Sequence, residues 1–464
     1  MTTVTGTAGL AAALGERLRG VAIGRDDPGY DDARRVHNGM HDRRPEMIAR
    51  CVDTADVVAA LGFGREHGLD IAIRGGAHNA AGFGSVDDGL VIDLTPIRYT
   101  QVDPDAKIAR VGGGATLGDL DHATHLYGLA TPSGTFSTTG VGGLTLGGGI
   151  GYLTRTYGLS IDNLLGADVV LADGSVVRAD EQNEPDLFWA LRGGGGNFGV
   201  VTEFRFRLHP VRMVFGGPML FALEDTETVA QLYREWLPAQ ADDLYAFLAV
   251  LTVPPADPFP PEIRLNKVCA LLWCNTAPED RSTEALNTFR SAAKPVLDGV
   301  AEIPFPALQS AFDPLVPFGT HIYWRAHFVD ALPDGAIAEY VRFAESAPTW
   351  VSQTHVYPLG GVAGRVGNED TAWGWRDAAY AQVFVAIDHE PGRDAELREW
   401  AVGYSEAIKP YAMEGAYSNF LMDEGQGPAK ASYRGNYARL QRIKAAYDPD
   451  NVFHVNQNIQ PATS

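Results

Sequence analysis

Cysteine is scarce in this chain. Its 464 residues include three, Cys51, Cys269 and Cys274, and an odd, dispersed set offers no disulfide framework. Cys269 and Cys274 lie in an apolar run without neighbouring ligand types, so metal-site spacing is missing as well. Positive charge is also in short supply. Against 58 Asp and Glu stand 37 Lys and Arg, which leaves a net charge of −21. Such a surface repels phosphate, and this argues against nucleic acid and anionic lipid as partners. No apolar run approaches the roughly 18 residues of a membrane span. The stretch from Met1 to Leu14 lacks the basic region of a secretory signal, so a soluble, cytoplasmic protein is expected. No internal repeat or low-complexity tail is present. With 45% hydrophobic and 10% aromatic residues, the chain can bury a large core, which excludes a disordered or fibrous class.

Glycine, by contrast, is abundant and clumped: 52 residues, about 11% of the chain against a typical ~7%. The first clump follows an apolar strand, Asp70 to Arg74, and reads Gly75-Gly76-Ala77-His78-Asn79. The second runs from Gly134 to Gly151 and is too glycine-rich for a helix or a central strand. Around them the pattern predicts helices over Thr54–Gly68, Thr116–Leu126 and Pro185–Leu191. Strands are predicted over Gly89–Leu94, Ile108–Gly112, Ala167–Ala172 and Val200–Leu208. After Val211 the pattern shifts to longer strands, such as Leu244–Val253 and Val268–Cys274. Helices over Asp225–Leu237 and Arg281–Leu297 lie beside them, with Pro/Asp-rich connections between. Leu440–Tyr447 is helical and stops at Asp448-Pro449-Asp450-Asn451. The whole is α+β.

A third clump, Gly194-Gly195-Gly196-Asn197-Phe198-Gly199, spells the dinucleotide fingerprint G-x-G-x-x-G. That motif works where a strand precedes and a helix follows. Here the order is reversed, and no acidic residue sits about twenty positions on. The match is a decoy. The other two clumps each let main chain approach a flat or anionic group closely and offer it consecutive N–H groups. A large planar cofactor with a pyrophosphate would use both.

Their combination resembles the berberine-bridge-enzyme-like FAD-linked oxidases, flavoproteins of the vanillyl-alcohol-oxidase (PCMH-type) fold. Arg74-Gly75-Gly76-Ala77-His78-Asn79 is similar to the family's covalent-histidine motif. Gly140-Val141-Gly142-Gly143 with Gly147 to Gly151, Arg155 to Asn163, Asp186 to Gly199, and Tyr447 to Phe453 match further motifs in the family's order. The resemblance is specific over residues 50–210 and after 433, and weak between. It implies a two-part FAD-binding domain, residues 1–211 and 416–464, around an antiparallel-sheet substrate domain covered by helices, residues 212–415. It also implies FAD bonded once, to His78. Many relatives carry a second link through a cysteine where this chain has Phe136, so a monocovalent, bacterial-type member is expected.

The resemblance further places Arg74, Gly75, Gly76, Ala77 and Asn79 at the pyrophosphate. It sets Thr135, Thr138, Gly140, Gly142, Gly143 and Gly149 near the ring and phosphates. Tyr157, Asp162 and Asn163 fall on a loop folded against the cofactor, Val200 or Val201 near the adenosine, and Asn456 and Gln457 at the isoalloxazine. Proton abstraction beside the flavin needs a base. Tyr417, in a Tyr-x-Asn motif with Asn419, is one candidate. Gln382 falls where plant relatives carry a catalytic glutamate, and glutamine cannot accept the proton. His321 and His355 are further candidates. Tyr245, Phe247, Tyr323, Trp324 and Tyr357 could line a pocket for a planar substrate or simply pack in the core.

The function implied is an FAD-dependent oxidase. Hydride would pass from a small organic substrate to the flavin, and molecular oxygen would reoxidise it to give hydrogen peroxide. A phenolic, polyketide- or alkaloid-like secondary metabolite or an alcohol is expected. The alternatives are a carbohydrate oxidase, a flavin-dependent dehydrogenase, an oxygenating flavoenzyme and a non-catalytic flavin-binding protein. No metal is expected.

Overall fold

The computed structural model describes residues 7–463. Of the N-terminal stretch ending at Leu14, the first six residues lie outside this range, and the remainder falls within a helix, Thr7–Gly15.

Three main sheets organise the chain. The first is four-stranded, in the order Val21–Gly24, Met47–Arg50, Leu90–Asp93, Ile71–Arg74, and its last three strands are parallel. Parallel strands covered on both faces read as continuous apolar runs, and all four residues of Leu90–Asp93 are buried. The helix Thr54–Glu66 covers this sheet. Asp53 starts it by accepting the Asp56 N–H at 3.0 Å, and Val57, Ala60, Leu61 and Phe63 form its inner face.

The second sheet is five-stranded and antiparallel, in the order Thr100–Asp103, Ile108–Gly112, Val200–Arg207, Leu164–Val170, Val176–Ala179. The helices Pro185–Leu191 and Tyr437–Tyr447 pack over its core through Leu187, Phe188, Leu440 and Ile443. The C-terminal segment thus returns to the N-terminal half, and Phe453 enters the core of the first sheet.

The third sheet has eight strands, all antiparallel, with Gln353–Pro358, Tyr380–Asp388 and His321–Val329 adjacent at one end. Helices Thr226–Trp236, Glu279–Ala292, Asp334–Glu345 and Asp394–Ile408 cover one face. In the last of these, Leu397, Trp400, Ala401, Tyr404 and Ile408 recur at helical spacing and bury against Phe384 and Phe343. The opposite face carries Phe247, Tyr357, Val383 and Val385 and meets residues 150–161 of the glycine-rich half. Strand alternation therefore decides which side chains of this sheet face the cleft.

Two local expectations fail: the helix expected over Arg281–Leu297 stops at Ala292, with Leu297 in a short strand, and the second glycine clump is not free of helix. Within Gly134–Gly151 the chain forms a helix, Val141–Gly147. Burial of Val141, Thr145 and Leu146 outweighs the glycine penalty of roughly 1 kcal/mol per residue.

Candidate active site

A cavity of about 320 Å³ lies between the glycine-rich loops and the open face of the third sheet. Gly75 to Asn79, Gly134 to Phe136, Gly140, Gly143, Gly195 to Asn197, Asn456 and Gln457 line one side. Strand residues Ile322, Trp324, Gln353, His355, Tyr357, Val383, Val385 and Ile387 line the other. The two principal loops touch main chain to main chain. A Cβ on Gly76 would stand 2.4 Å from the Gly140 nitrogen, so only glycine permits the approach. A Cβ on Gly143 or Gly196 would meet no protein atom within 4 Å, so the open space lies on that side.

The loop after Arg74 suits an anionic, flat ligand. Among the described residues, the main-chain N–H groups of Gly76, Ala77, His78 and Asn79 donate to no group of the chain. Ala77 holds a left-handed φ of 57°, rare for a non-glycine residue and common at functional turns. His78 follows directly. Its ring stacks on His37 with centroids 3.9 Å apart, and its Nε2 is buried without a hydrogen-bond partner. Burial, reinforced by His37, pushes the His78 imidazole well below its ordinary value, so the ring is neutral. His37 is itself fixed, its Nε2 3.1 Å from the Val316 carbonyl and its N–H donated to the Ala77 carbonyl at 3.0 Å.

Opposite this loop stands Tyr417. Its phenol oxygen accepts the Gly149 N–H at 2.7 Å and an Asn419 Nδ2–H at 2.9 Å. Gly149 turns its N–H inward through a φ of 85°, and Asn419 is anchored on the Leu144 carbonyl at 3.1 Å. Burial pushes the Tyr417 phenol up to about 12, and these two donors pull against that rise. His355 and Tyr357 form a second polar pair, with Nδ1 2.7 Å from the phenol oxygen. Phe247 supports both from behind, ring centroids 5.3 and 4.8 Å away.

Several expected residues stand elsewhere. Gln382 faces the helical layer and donates to the Tyr340 hydroxyl, because its neighbours Val383 and Ala381 take the cleft side of the strand. Tyr323 falls on the helical side for the same reason, under Arg325 and Arg398. His321 pairs with Asp394 at 2.6 Å, outside the cavity. Tyr245 and Phe247 lie one layer behind the lining.

On the side of the glycine-rich loops, Asp162 is committed to Arg376 at 2.7 Å and to the Leu159 N–H at 2.8 Å. Asn163 binds the Tyr157 and Leu159 carbonyls, and Tyr157 stacks on His209. Gly142 backs onto Phe204, and Val200 and Val201 are sheet-core residues. Thr138 is absent from the lining. The Arg74 guanidinium turns away, to the Ala33, Arg34 and Gly84 carbonyls. The sequence reading missed His37, Gln353 and the wall formed by Gly195 to Asn197.

The tail is pinned by a buried ion pair. Lys444 and Asp448, both fully buried, lie 2.6 Å apart. Lys444 Nζ also donates to the Asn197 and Phe453 carbonyls at 2.7 and 2.9 Å, which fixes two cavity walls against each other.

A cleft of unpaired N–H groups beside a neutral, unpartnered imidazole fits FAD, and the comparisons name that ligand. An FAD binding domain model matches residues 45–180, and a berberine and berberine-like model matches residues 416–460. The uncharacterized FAD-linked oxidoreductase YgaK of Bacillus subtilis is 33% identical over 454 residues, covering 96% of this chain and 98% of that one. The (R)-6-hydroxynicotine oxidase of Paenarthrobacter nicotinovorans is 29% identical over 466 residues, covering 96% and 98%. The crystal structure of 6-hydroxy-D-nicotine oxidase from Arthrobacter nicotinovorans superposes with a TM-score of 0.85 at 25% identity, covering 96% of this chain and 98% of that one.

Fold and site together define an FAD-linked oxidoreductase. The chain belongs to the berberine-bridge-enzyme-like family. Among the described residues, no helix is long and apolar enough to cross a membrane.

Proposed function

We propose that this protein is an oxidase that carries FAD on a single bond to His78 and oxidises a small organic molecule with molecular oxygen. Under this reading residues 1–211 and 416–464 hold the cofactor, and residues 212–415 form the substrate side. The observation that carries it is His78, a neutral ring whose buried Nε2 has no partner, set among unpaired N–H donors. Gly75 to Asn79, Gly140, Gly143, Asn456 and Gln457 would hold the dinucleotide. Phe136 stands where a second thiol link would need cysteine, and Cys51, Cys269 and Cys274 are buried away from the cavity.

FAD supplies, when bound, a two-electron acceptor that oxygen regenerates with release of hydrogen peroxide. The chain supplies the rest. Tyr417 takes the proton of the substrate hydroxyl as a phenolate, which the Gly149 and Asn419 N–H groups steady beforehand, and becomes the neutral phenol. Ile322, Trp324, Val383 and Val385 exclude water from the reacting face. A carboxylate base at Gln382 plays no part.

The test is an anaerobic titration of the purified yellow protein with alcohols, phenols, sugars and amines. Bleaching of the flavin band by at least one class, with recovery on admitting air and one peroxide per substrate, is expected. A flavin that no class reduces, or one that recovers without peroxide, rejects the oxidase reading.

A further inference from the structure

We infer that the cavity selects an uncharged aromatic alcohol that bears a second oxygen, its hydroxyl meeting Tyr417 and its second oxygen accepting from His355 Nε2–H. This inference deepens the oxidase reading and rests on it. Its first support is the charge of the lining. Among the residues that line the cavity there is no aspartate, glutamate or lysine, and the guanidinium of the one arginine, Arg74, is turned to main-chain carbonyls. Burial also lowers the three lining imidazoles, His37, His78 and His355. An ammonium or carboxylate brought against the strand side of the cavity, at Ile322, Trp324, His355, Tyr357, Val383 and Val385, away from the N–H groups of Gly76 to Asn79, would lose its water and find no counter-charge.

The second support is a fixed tautomer. A phenol is the better donor and an imidazole nitrogen the better acceptor, so at 2.7 Å Tyr357 donates to His355 Nδ1. The Thr135 hydroxyl beside the Tyr357 oxygen favours the same direction. The ring proton then sits on Nε2, which has no partner among the described residues and opens onto the cavity. The wall thus presents an N–H that calls for an acceptor oxygen. The same cavity has an aromatic wall, in which Phe420 packs on Trp324 and Tyr357 with ring centroids 5.8 and 5.9 Å apart.

Four probes of nearly equal shape test this on the intact flavoprotein: 4-methoxybenzyl alcohol, 4-methylbenzyl alcohol, 4-methoxybenzylamine and 4-methoxybenzoate. Binding is read from the perturbation of the flavin absorption band, independently of turnover. The methoxy alcohol is expected to bind at least 10-fold tighter than the amine or the carboxylate. It should also exceed the methyl alcohol about 10-fold, the cost of one unmet buried donor. His355→Phe should abolish the methoxy-over-methyl preference, and Tyr357→Phe, which frees the tautomer, should reduce it. An amine or carboxylate that binds as tightly as the alcohol overturns the inference. So does a methoxy preference unchanged in His355→Phe, or no perturbation by the methoxy alcohol at all. The expected binding order together with a flavin that no alcohol, phenol, sugar or amine reduces would sink the oxidase reading and leave the binding preference standing. Fastest reduction by the amine would do the reverse.

Discussion

Tyr417 offers the sharpest quantitative expectation. Its phenol is held near 12 by burial, so at pH 8 only about one molecule in 10⁴ carries a phenolate. If that phenolate takes the substrate proton, the rate of anaerobic flavin reduction rises about tenfold per pH unit from 7 to 10. Asn419 supplies one of the two N–H donors, at 2.9 Å. Hydrogen bonds to a charged group are each worth about 1.5–3 kcal/mol, so Asn419→Ala raises the phenol by roughly one to two pH units. At fixed pH the reductive rate then falls about 10- to 100-fold, while the tenfold-per-unit slope is retained. Tyr417→Phe removes the base altogether, lowering the rate by roughly 10²-fold or more and flattening the slope. Stopped-flow absorbance at the flavin band, recorded anaerobically across the pH range, measures all three. A wild-type rate flat in pH, or a Tyr417→Phe rate within a few-fold of wild type, refutes the reasoning.

Lys444→Met leaves Asp448 buried without its partner and should cost about 3–5 kcal/mol in chemical denaturation. Because the same amine ties Asn197 to Phe453, flavin retention should fall as well. A change below 1 kcal/mol with full flavin content contradicts this. His37→Ala removes the ring stacked on His78 and should slow covalent flavin incorporation by apoprotein mixed with FAD, followed by denaturing-gel fluorescence; an unchanged rate assigns His37 to packing alone. His355 gives an acid-stability test. Burial lowers it to about 4 from an ordinary 6.5, so the folded state holds it neutral while the unfolded chain takes up a proton first. Its stabilising contribution, about 3 kcal/mol, is present in full above pH 6.5 and lost as pH falls towards 4. Denaturant midpoints should therefore drop less in His355→Gln than in wild type over that window. Parallel curves contradict the assignment.

Much of the glycine-lined side of the cleft was legible because glycine leaves a compositional trace. Gly75 to His78 and Gly140 to Gly143 mark main-chain approach wherever they occur, and strand order, with the missing acid about twenty residues on, separated Gly194–Gly199 from a dinucleotide fingerprint. The observed order is the expected one, helix Pro185–Leu191 before and strand Val200–Arg207 after, yet Gly195 to Asn197 still line the cavity. The substrate wall was harder. On Tyr380–Asp388 the first eight residues are buried, so alternation carried no sign of which face met the cleft, and Gln382 was assigned one residue away from a cavity position. Tyr323 and Trp324 split the same way. His37 lies 41 residues before His78, and only the folded chain brings the two rings together. The helix Val141–Gly147 escaped notice because packing, not propensity, holds it.

Purified protein, denatured and run on a gel, should fluoresce under ultraviolet light, and proteolysis should yield a flavin-bearing peptide that contains His78. His78→Ala, still folded by circular dichroism, should give a dark band. Fluorescence that survives in that variant, or flavin mass found on a peptide without His78, contradicts the central claim.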